Sequence, residues 1–225
     1  MSDSENQLQL REKIIELCLW MNSSGLNQGT SGNISARYKN SMLITPSGVP
    51  YDELQAQDIA QMSLDHNRYE WEGPYAPSSE WHFHRAILQS QPSYGAVIHT
   101  HSTYATVLSM AKTKIPACHY MVAAFGGSTV RCAKYATFGT EKLSNNILRA
   151  MRNRSACLMA NHGMVVAGTN LDKATWAAVE LETLSKQYYL ASGMKKITIL
   201  SKKEIKIVLE KFADYGPKNK DTETD

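Results

Sequence analysis

Ala96-Val97-Ile98-His99-Thr100-His101 is the stretch from which the fold is read. Its first five residues are apolar or β-branched except for one histidine, which predicts a buried strand over Ala96 to Thr100. Residues two apart on a strand emerge on the same face, about 7 Å apart along the chain, so both imidazoles can reach one metal ion. Neutral imidazole is a common zinc ligand. Taken alone, however, the pair serves equally well as two satisfied polar residues at a strand end.

Elements alternate irregularly on either side of this strand. Upstream, Leu8 to Asn22 carries apolar residues at helical spacing, with Gly25 as a stop. A small-residue loop, Gly29-Thr-Ser-Gly-Asn33, leads into expected strands over Ile34 to Tyr38 and Ser41 to Ile44, and Thr45-Pro-Ser-Gly48 reads as a turn. Extended stretches are expected at Asp58 to Ser63 and Tyr69 to Glu72. A helix from Glu80 to Gln89 is expected behind a serine cap in Ala76-Pro-Ser-Ser79. Downstream come a helix over Thr103 to Met110 and an extended segment over Ala117 to Ala123. Glu141 to Arg152 reads as a helix, Ala156 to Asn161 and Gly163 to Ala167 as strands, and Leu171 to Ala191 as a long helix, after which Ser201 to Phe212 closes the fold. There are no regular strand–helix units and no GxGxxG, so the pattern predicts an α/β fold with a central sheet covered on both faces by helices.

Composition bounds the answer. A chain of 225 residues, 43% of them hydrophobic, suits one domain over residues 1–216. The polar tail 217–225 is expected to be disordered. A formal charge of +3 without a basic face argues against nucleic acid as a partner. No apolar run approaches the roughly 18 residues of a membrane span, and Met1 to Gln9 lacks a secretory pattern, so a cytoplasmic protein with no membrane partner is expected. Cys18, Cys118, Cys132 and Cys157 are too scattered for a zinc ribbon or a redox pair.

Two further residues join the pair. His162 interrupts the apolar run Met159-Ala-Asn-His-Gly-Met, and Gly163 behind it would let backbone pass close to a bound group. Three histidines leave a coordination position open, as catalytic zinc requires. Glu80 stands at a helix start, where the dipole favours a carboxylate whether it caps the helix or does chemistry, and both readings stand. Trp81-His82-Phe-His84 repeats the spacing on a helix, where the two rings point about 200° apart. His82 is therefore left out of the metal group, His84 is placed behind it or in the packing, and His66 and His119 are read as ordinary polar residues.

In order, Gly-Asn-Ile-Ser, Leu-Ile-Thr-Pro-Ser-Gly, Pro-Ser-Ser-Glu-Trp, Ala-Val-Ile-His-Thr-His and Asn-His-Gly resemble the class II aldolase and adducin family. The resemblance runs to Tyr215 and includes Gly25-Leu-Asn-Gln-Gly-Thr30 and Tyr135-Ala-Thr-Phe-Gly-Thr140. It implies a mostly antiparallel sheet and one zinc ion per subunit on His99, His101 and His162. Glu80 would be a fourth ligand at rest that swings away to act as acid and base. It implies a phosphate site at Gly32, Asn33, Ser47, Gly48, Ser78 and Ser79, where hydroxyls and backbone N–H groups suit a dianion. Tyr120 would reach in from a neighbouring subunit as a second catalytic group, with Phe138 and Tyr215 near the aldehyde, in a homotetramer with sites at subunit interfaces. The implied activity is reversible cleavage of a ketose 1-phosphate, of the L-fuculose or 5-deoxypentulose kind, to dihydroxyacetone phosphate and a short aldehyde. The alternatives are a pentulose-phosphate 4-epimerase, which would need an acid that Cys118-His-Tyr-Met-Val-Ala-Ala does not offer, and a non-catalytic adducin-like module, which need not keep the histidines.

Overall fold

Residues 2–65 and 69–213 are described by the computed structural model, so His66, Tyr215 and the tail 217–225 lie outside the described residues. Helix α1 (Asp3–Ser23) starts five residues before the periodicity does. Ser2 and Glu5 form a reciprocal capping box there, which satisfies N–H groups that an apolar pattern cannot register. Strands β1 (Asn33–Tyr38) and β2 (Ser41–Ile44) follow as a hairpin, with Lys39 at φ 53° in the turn. A short 3₁₀ turn at Ala56–Asp58 takes up the start of the expected extended stretch, leaving β3 (Ala60–Ser63) and the edge strand β4 (Trp71–Glu72).

Helix α2 (Trp81–Ser90) has Glu80, not a serine, at its N-cap position. Ser78 sits two residues earlier, where its Oγ accepts from the Glu80 N–H at 3.3 Å. Strand β5 (Ala96–Thr100) and helix α3 (Thr103–Met110) lie as expected. The segment expected to be extended at Ala117 to Ala123 instead coils into a 3₁₀ turn, Tyr120–Phe125. His119 Nδ1 accepts from the Met121 N–H at its start, and Gly126 closes its end at φ 93°. Strand β6 (Arg131–Ala133) carried no periodic signal in so short a run. Helix α4 (Glu141–Ala150), strands β7 (Ala156–Met159) and β8 (Gly163–Gly168), and helices α5 (Leu171–Ser192) and α6 (Lys202–Ala213) complete the order.

The strands make one eight-stranded sheet in the order β4-β3-β2-β1-β5-β8-β7-β6. Every pair is antiparallel except β6 with β7. Helices cover both faces of this single α/β domain. One core joins Ile14 and Met21 of α1, Leu181 and Leu184 of α5 and Ile98 of β5; the other joins Phe83 and Ile87 of α2, Ile147 of α4 and Val97 of β5. Strand β5 is buried on both faces, and its alternation puts His99 on the Val97 side, against α2. Among the described residues no helix is long and apolar enough to cross a membrane. The four cysteines are free thiols.

One contact anchors the chain just beyond the paired histidines. Ser102, at the N-cap of α3, makes no side-chain cap bond. In its place Glu182 of α5 accepts from Ser102 Oγ (2.7 Å), the Tyr104 N–H (2.8 Å) and the Ala105 N–H (2.9 Å). Glu182→Ala strips three donors at once and should cost about 2 kcal/mol of stability, with Glu182→Gln recovering part of it. Urea denaturation checks this, and an unchanged midpoint in the alanine variant would remove Glu182 as an anchor.

Candidate active site and metal centre

His99 lies in β5, paired with Asn33 of β1 on one side and Val165 of β8 on the other, and His101 lies just past the strand end. His162 comes from the tight β7–β8 connection, in which Asn161 adopts φ 55°. That connection is pinned from α3: the Asn161 N–H donates to the Ser109 carbonyl at 3.1 Å, and the His162 N–H lies 3.3 Å from Ser109 Oγ. Gly163 has a steric duty. A Cβ there would stand 2.5 Å from the Thr100 carbonyl oxygen and 3.0 Å from His101 Cδ2, so any side chain would push the third histidine off the second.

The rings form a three-bladed cluster, with centroids 4.8 to 4.9 Å apart and planes at 74° to 80°. One nitrogen from each lies within 4.8 Å of the others. His99 Nδ1 donates to the Met164 carbonyl at 2.7 Å, which turns Nε2 of that ring into the site. Glu80, 5% exposed, completes the cluster, with Oε2 3.2 Å from His99 Nε2 and Oε1 3.3 Å from His162 Nε2. Although close, these contacts are poorly aligned. Glu80 Oε1, His99 Nε2 and His101 Nε2 are buried and have no hydrogen-bond partner among the described residues. Converging nitrogens and a carboxylate oxygen left in this condition fit a divalent cation, whose ligands need a lone pair and no directional donor.

The electrostatics agree. Burial disfavours the charged Glu80, but the charges of His99 and His162 and the Asn33 amide outweigh it and hold the carboxyl below its usual range. Burial likewise opposes a charge on His99, yet the Glu80 carboxylate leaves that ring more basic than ordinary. Burial first, then His99, push His101 and His162 down to about 4, so both are neutral and ready to ligate at pH 7.

The histidines open on a cavity of about 350 Å³ lined by Gly32, Asn33, Ser47, Gly48, Ser78, Ser79 and Phe138, together with Glu80, His101 and His162. All six residues expected to hold phosphate are thus brought together. The loops carrying them are tied: Pro46 bridges to Pro77, and the Ser78 N–H donates to the Thr45 carbonyl at 2.9 Å. Thr30, Ser31, Tyr135 and Asn161 also line this cavity. None was singled out as a site residue, although Thr30 and Ser31 lie in the Gly29–Asn33 loop, Tyr135 in the Tyr135–Thr140 stretch and Asn161 beside His162. Larger cavities, about 740 Å³ beside Trp176 and about 530 Å³ beside Arg152, hold no such ligand cluster among the described residues. Tyr120 lines the one beside Trp176, half-exposed and stacked near Phe212, and is not brought to the histidines of its own chain. Phe138, 64% exposed, stands at the cavity rim, and Tyr215 lies outside the described residues.

A model of the Class II Aldolase and Adducin N-terminal domain matches residues 12–189. The chain belongs to the class II aldolase and adducin family. This aldolase, a carbon–carbon lyase, is 46% identical over 209 residues to the L-fuculose phosphate aldolase of Escherichia coli strain K12, covering 92% of this chain and 96% of that one. It is 44% identical over 211 residues, 94% of each chain, to the 5-methylthioribulose-1-phosphate/5-deoxyribulose-1-phosphate aldolase of Rhodospirillum rubrum. A solved structure of an L-fuculose 1-phosphate aldolase superposes with a TM-score of 0.86 at 38% identity, covering 91% of this chain and 96% of that one. Membership implies a divalent metal and a sugar-phosphate substrate, and the histidine cluster of the aldolase is where such a metal could bind.

His84 of the aldolase lies behind the cluster, fully buried, with Nδ1 2.7 Å from Ser35 Oγ and Nε2 2.5 Å from Asn33 Oδ1. Burial, then the charge of His99, push its pKa from the ordinary 6.5 down to about 3, against the pull of Glu80. Between those values the unfolded chain takes up a proton that the fold excludes. The stability His84 confers is therefore complete above pH 6.5 and is lost as the pH falls through that window, at about 1.4 kcal/mol per unit. Unfolding free energies of the metal-free protein at pH 7 and pH 5 should fall less steeply in His84→Gln than in wild type, and equal slopes would clear His84 of the effect.

Proposed function

We propose that this aldolase cleaves a ketose 1-phosphate, L-fuculose 1-phosphate or a 5-deoxypentulose 1-phosphate, reversibly to dihydroxyacetone phosphate and a short aldehyde such as L-lactaldehyde. The observation that carries the reading is the meeting of three imidazole nitrogens within 4.8 Å of one another with a buried carboxylate, on the wall of a cavity whose lining includes Ser31, Gly32, Ser47, Gly48, Ser78 and Ser79. Relatives named for fuculose, methylthioribulose and deoxyribulose phosphates support the substrate class.

His99, His101 and His162 hold one zinc ion per subunit, with Glu80 as a fourth ligand at rest. Bound there, zinc supplies positive charge against the electron pair released when the carbon–carbon bond opens. Every other task falls to the chain. Gly32, Asn33, Ser47, Gly48, Ser78 and Ser79 grip the phosphate through hydroxyls and backbone N–H groups, and this fixes carbons 1 to 3 of the sugar. Tyr120 of a neighbouring copy takes the C4 hydroxyl proton and passes it to solvent, the C3–C4 electron pair passes into the enediolate, and Glu80, having taken up one proton from solvent, delivers it to C3 to give dihydroxyacetone phosphate, so that one proton leaves and one enters. In the synthetic direction the Glu80 carboxylate removes that proton. Phe138 and Tyr215 border the aldehyde. The enzyme works in the cytoplasm as a homotetramer with sites at subunit interfaces.

Glu80→Gln should keep zinc and inorganic phosphate binding while losing cleavage by about 100-fold or more. A glutamine variant with wild-type kcat would end the proton-transfer role. Substrate identity is settled by kcat/KM for L-fuculose 1-phosphate, 5-deoxyribulose 1-phosphate and methylthioribulose 1-phosphate, with coupled detection of dihydroxyacetone phosphate. At least one should be cleaved, activity should vanish on chelation and return with zinc, and turnover that survives complete removal of the metal would refute the reading.

A further inference from the structure

Four polar side chains from only two elements meet in the core beside Glu80. Asn33 and Ser35 are two apart on β1 and share its α2-facing side, while Glu80 and His84 are four apart at the start of α2 and lie one turn above each other. Ser35 and His84 are fully buried, and Asn33 and Glu80 are nearly so. They are linked in one line. Ser35 Oγ lies 2.7 Å from His84 Nδ1, His84 Nε2 lies 2.5 Å from Asn33 Oδ1, and Asn33 Nδ2 donates to Glu80 Oε2 at 3.0 Å.

The direction of every hydrogen bond in this line follows from its end. A carboxylate only accepts, so Asn33 must present Nδ2 to Glu80, which leaves Oδ1 facing His84. An amide oxygen only accepts, so His84 Nε2 must carry hydrogen. In a neutral ring Nδ1 is then an acceptor, and the Ser35 hydroxyl donates to it. Were the His84 tautomer reversed, a lone pair would face Oδ1, and the amide would flip to turn its oxygen on the carboxylate. His84 thus decides which end of Asn33 meets Glu80. The consequence at Glu80 is that its two oxygens differ: Oε2 is gripped by Asn33, whereas Oε1 has no hydrogen-bond partner among the described residues.

We propose that His84 and Asn33 are positioning residues that aim the Glu80 carboxylate, fixing Oε2 and leaving Oε1 as the oxygen that exchanges the proton. The inference rests on the proton-transfer role given to Glu80 above. It also gives Asn33 a duty besides the phosphate, since one Nδ2 hydrogen is committed to Glu80 and the other is left for the cavity. Asn33 variants would therefore disturb both tasks. His84 does not line the cavity, so its variants isolate the aiming.

The experiment compares wild type, His84→Leu and His84→Gln. In wild type, nitrogen-15 NMR of the metal-free protein should show His84 as the neutral Nε2–H tautomer. With L-fuculose 1-phosphate or whichever ketose 1-phosphate wild type cleaves best, His84→Leu should lower kcat about 10- to 100-fold. KM, the inhibition constant of inorganic phosphate and zinc content should stay within about twofold, because the gripping groups are untouched. His84→Gln places an amide N–H near the lost Nε2 and should restore kcat to within about fivefold of wild type. A folded leucine variant with wild-type kcat, a rise in KM with kcat intact, or an Nδ1–H tautomer would each overturn the proposal. Should the leucine variant fail to fold, the wild-type tautomer and the kcat of the glutamine variant decide: Nε2–H with near-wild-type kcat supports it, and Nδ1–H overturns it. An active Glu80→Gln would fail the underlying reading, whereas an inactive Glu80→Gln beside an unimpaired His84→Leu would fail only this inference.

Discussion

The Glu80 carboxylate is a charge placed where water hardly reaches, and the surroundings are arranged to make that tolerable. An unpaired carboxylate in such a place costs several kcal/mol or protonates. Here two imidazoles within 3.3 Å and one amide N–H at 3.0 Å offset the loss of water, and they come from three separate parts of the chain. His99 comes from β5, His162 from the β7–β8 connection and Asn33 from β1. None of them can be moved without leaving the charge exposed to a poorer environment. A divalent cation among the same nitrogens answers the same need, and that is why a buried acid and an open metal centre are compatible on this fold.

The sheet supplies the rigidity this requires. With β1 and β8 as the two antiparallel neighbours of β5, the Asn33–His99 and His99–Val165 pairings lock the first histidine in register from both sides. A slip of one residue would turn His99 to the opposite face, away from α2. Two glycines then permit close approach from outside the ladder. Gly163 clears room for His101, and a Cβ on Gly32 would stand 2.8 Å from the His99 carbonyl oxygen, so the small-residue loop before β1 lies directly on the backbone of the first histidine.

Much of this was legible because it depends on local periods. Strand period two predicted that His99 and His101 would share a face, and the glycine after His162 signalled a close approach, which it makes to Thr100 and His101. Glu80 was ambiguous between helix cap and chemistry, and the structure explains the ambiguity: it occupies the N-cap position yet makes no cap bond, turning its carboxylate to the histidines instead. What stayed hidden depends on sheet order or on backbone hydrogen bonds. The line from Ser35 to Glu80 exists only because α2 lies over β1. The early start of α1 is set by polar capping, and the coil at Tyr120–Phe125 by the His119 and Gly126 caps, neither of which an apolar pattern records. The resemblance to the family carried what periodicity could not, namely the gathering of the Gly32, Ser47 and Ser78 loops around one cavity.

Rigidity is also unevenly distributed around that cavity, and this bears on specificity. The wall near the histidines is pinned at several points: Pro46 bridges to Pro77, the Tyr51 hydroxyl donates to the Gly32 carbonyl, and Gly139, at φ 70°, packs on the Ser79 carbonyl. Such ties lower the ordering cost of binding and favour one geometry for whatever is gripped there. The far rim is different, since Tyr135 and Phe138 are more than half exposed, and Tyr120 faces another surface altogether. On the proposed reading, the fixed wall receives the phosphate and first three carbons that all the candidate ketose 1-phosphates share, while the open rim and a neighbouring copy receive the part in which they differ. Substitutions at the rim would then retune the aldehyde without disturbing the buried carboxylate and its histidines.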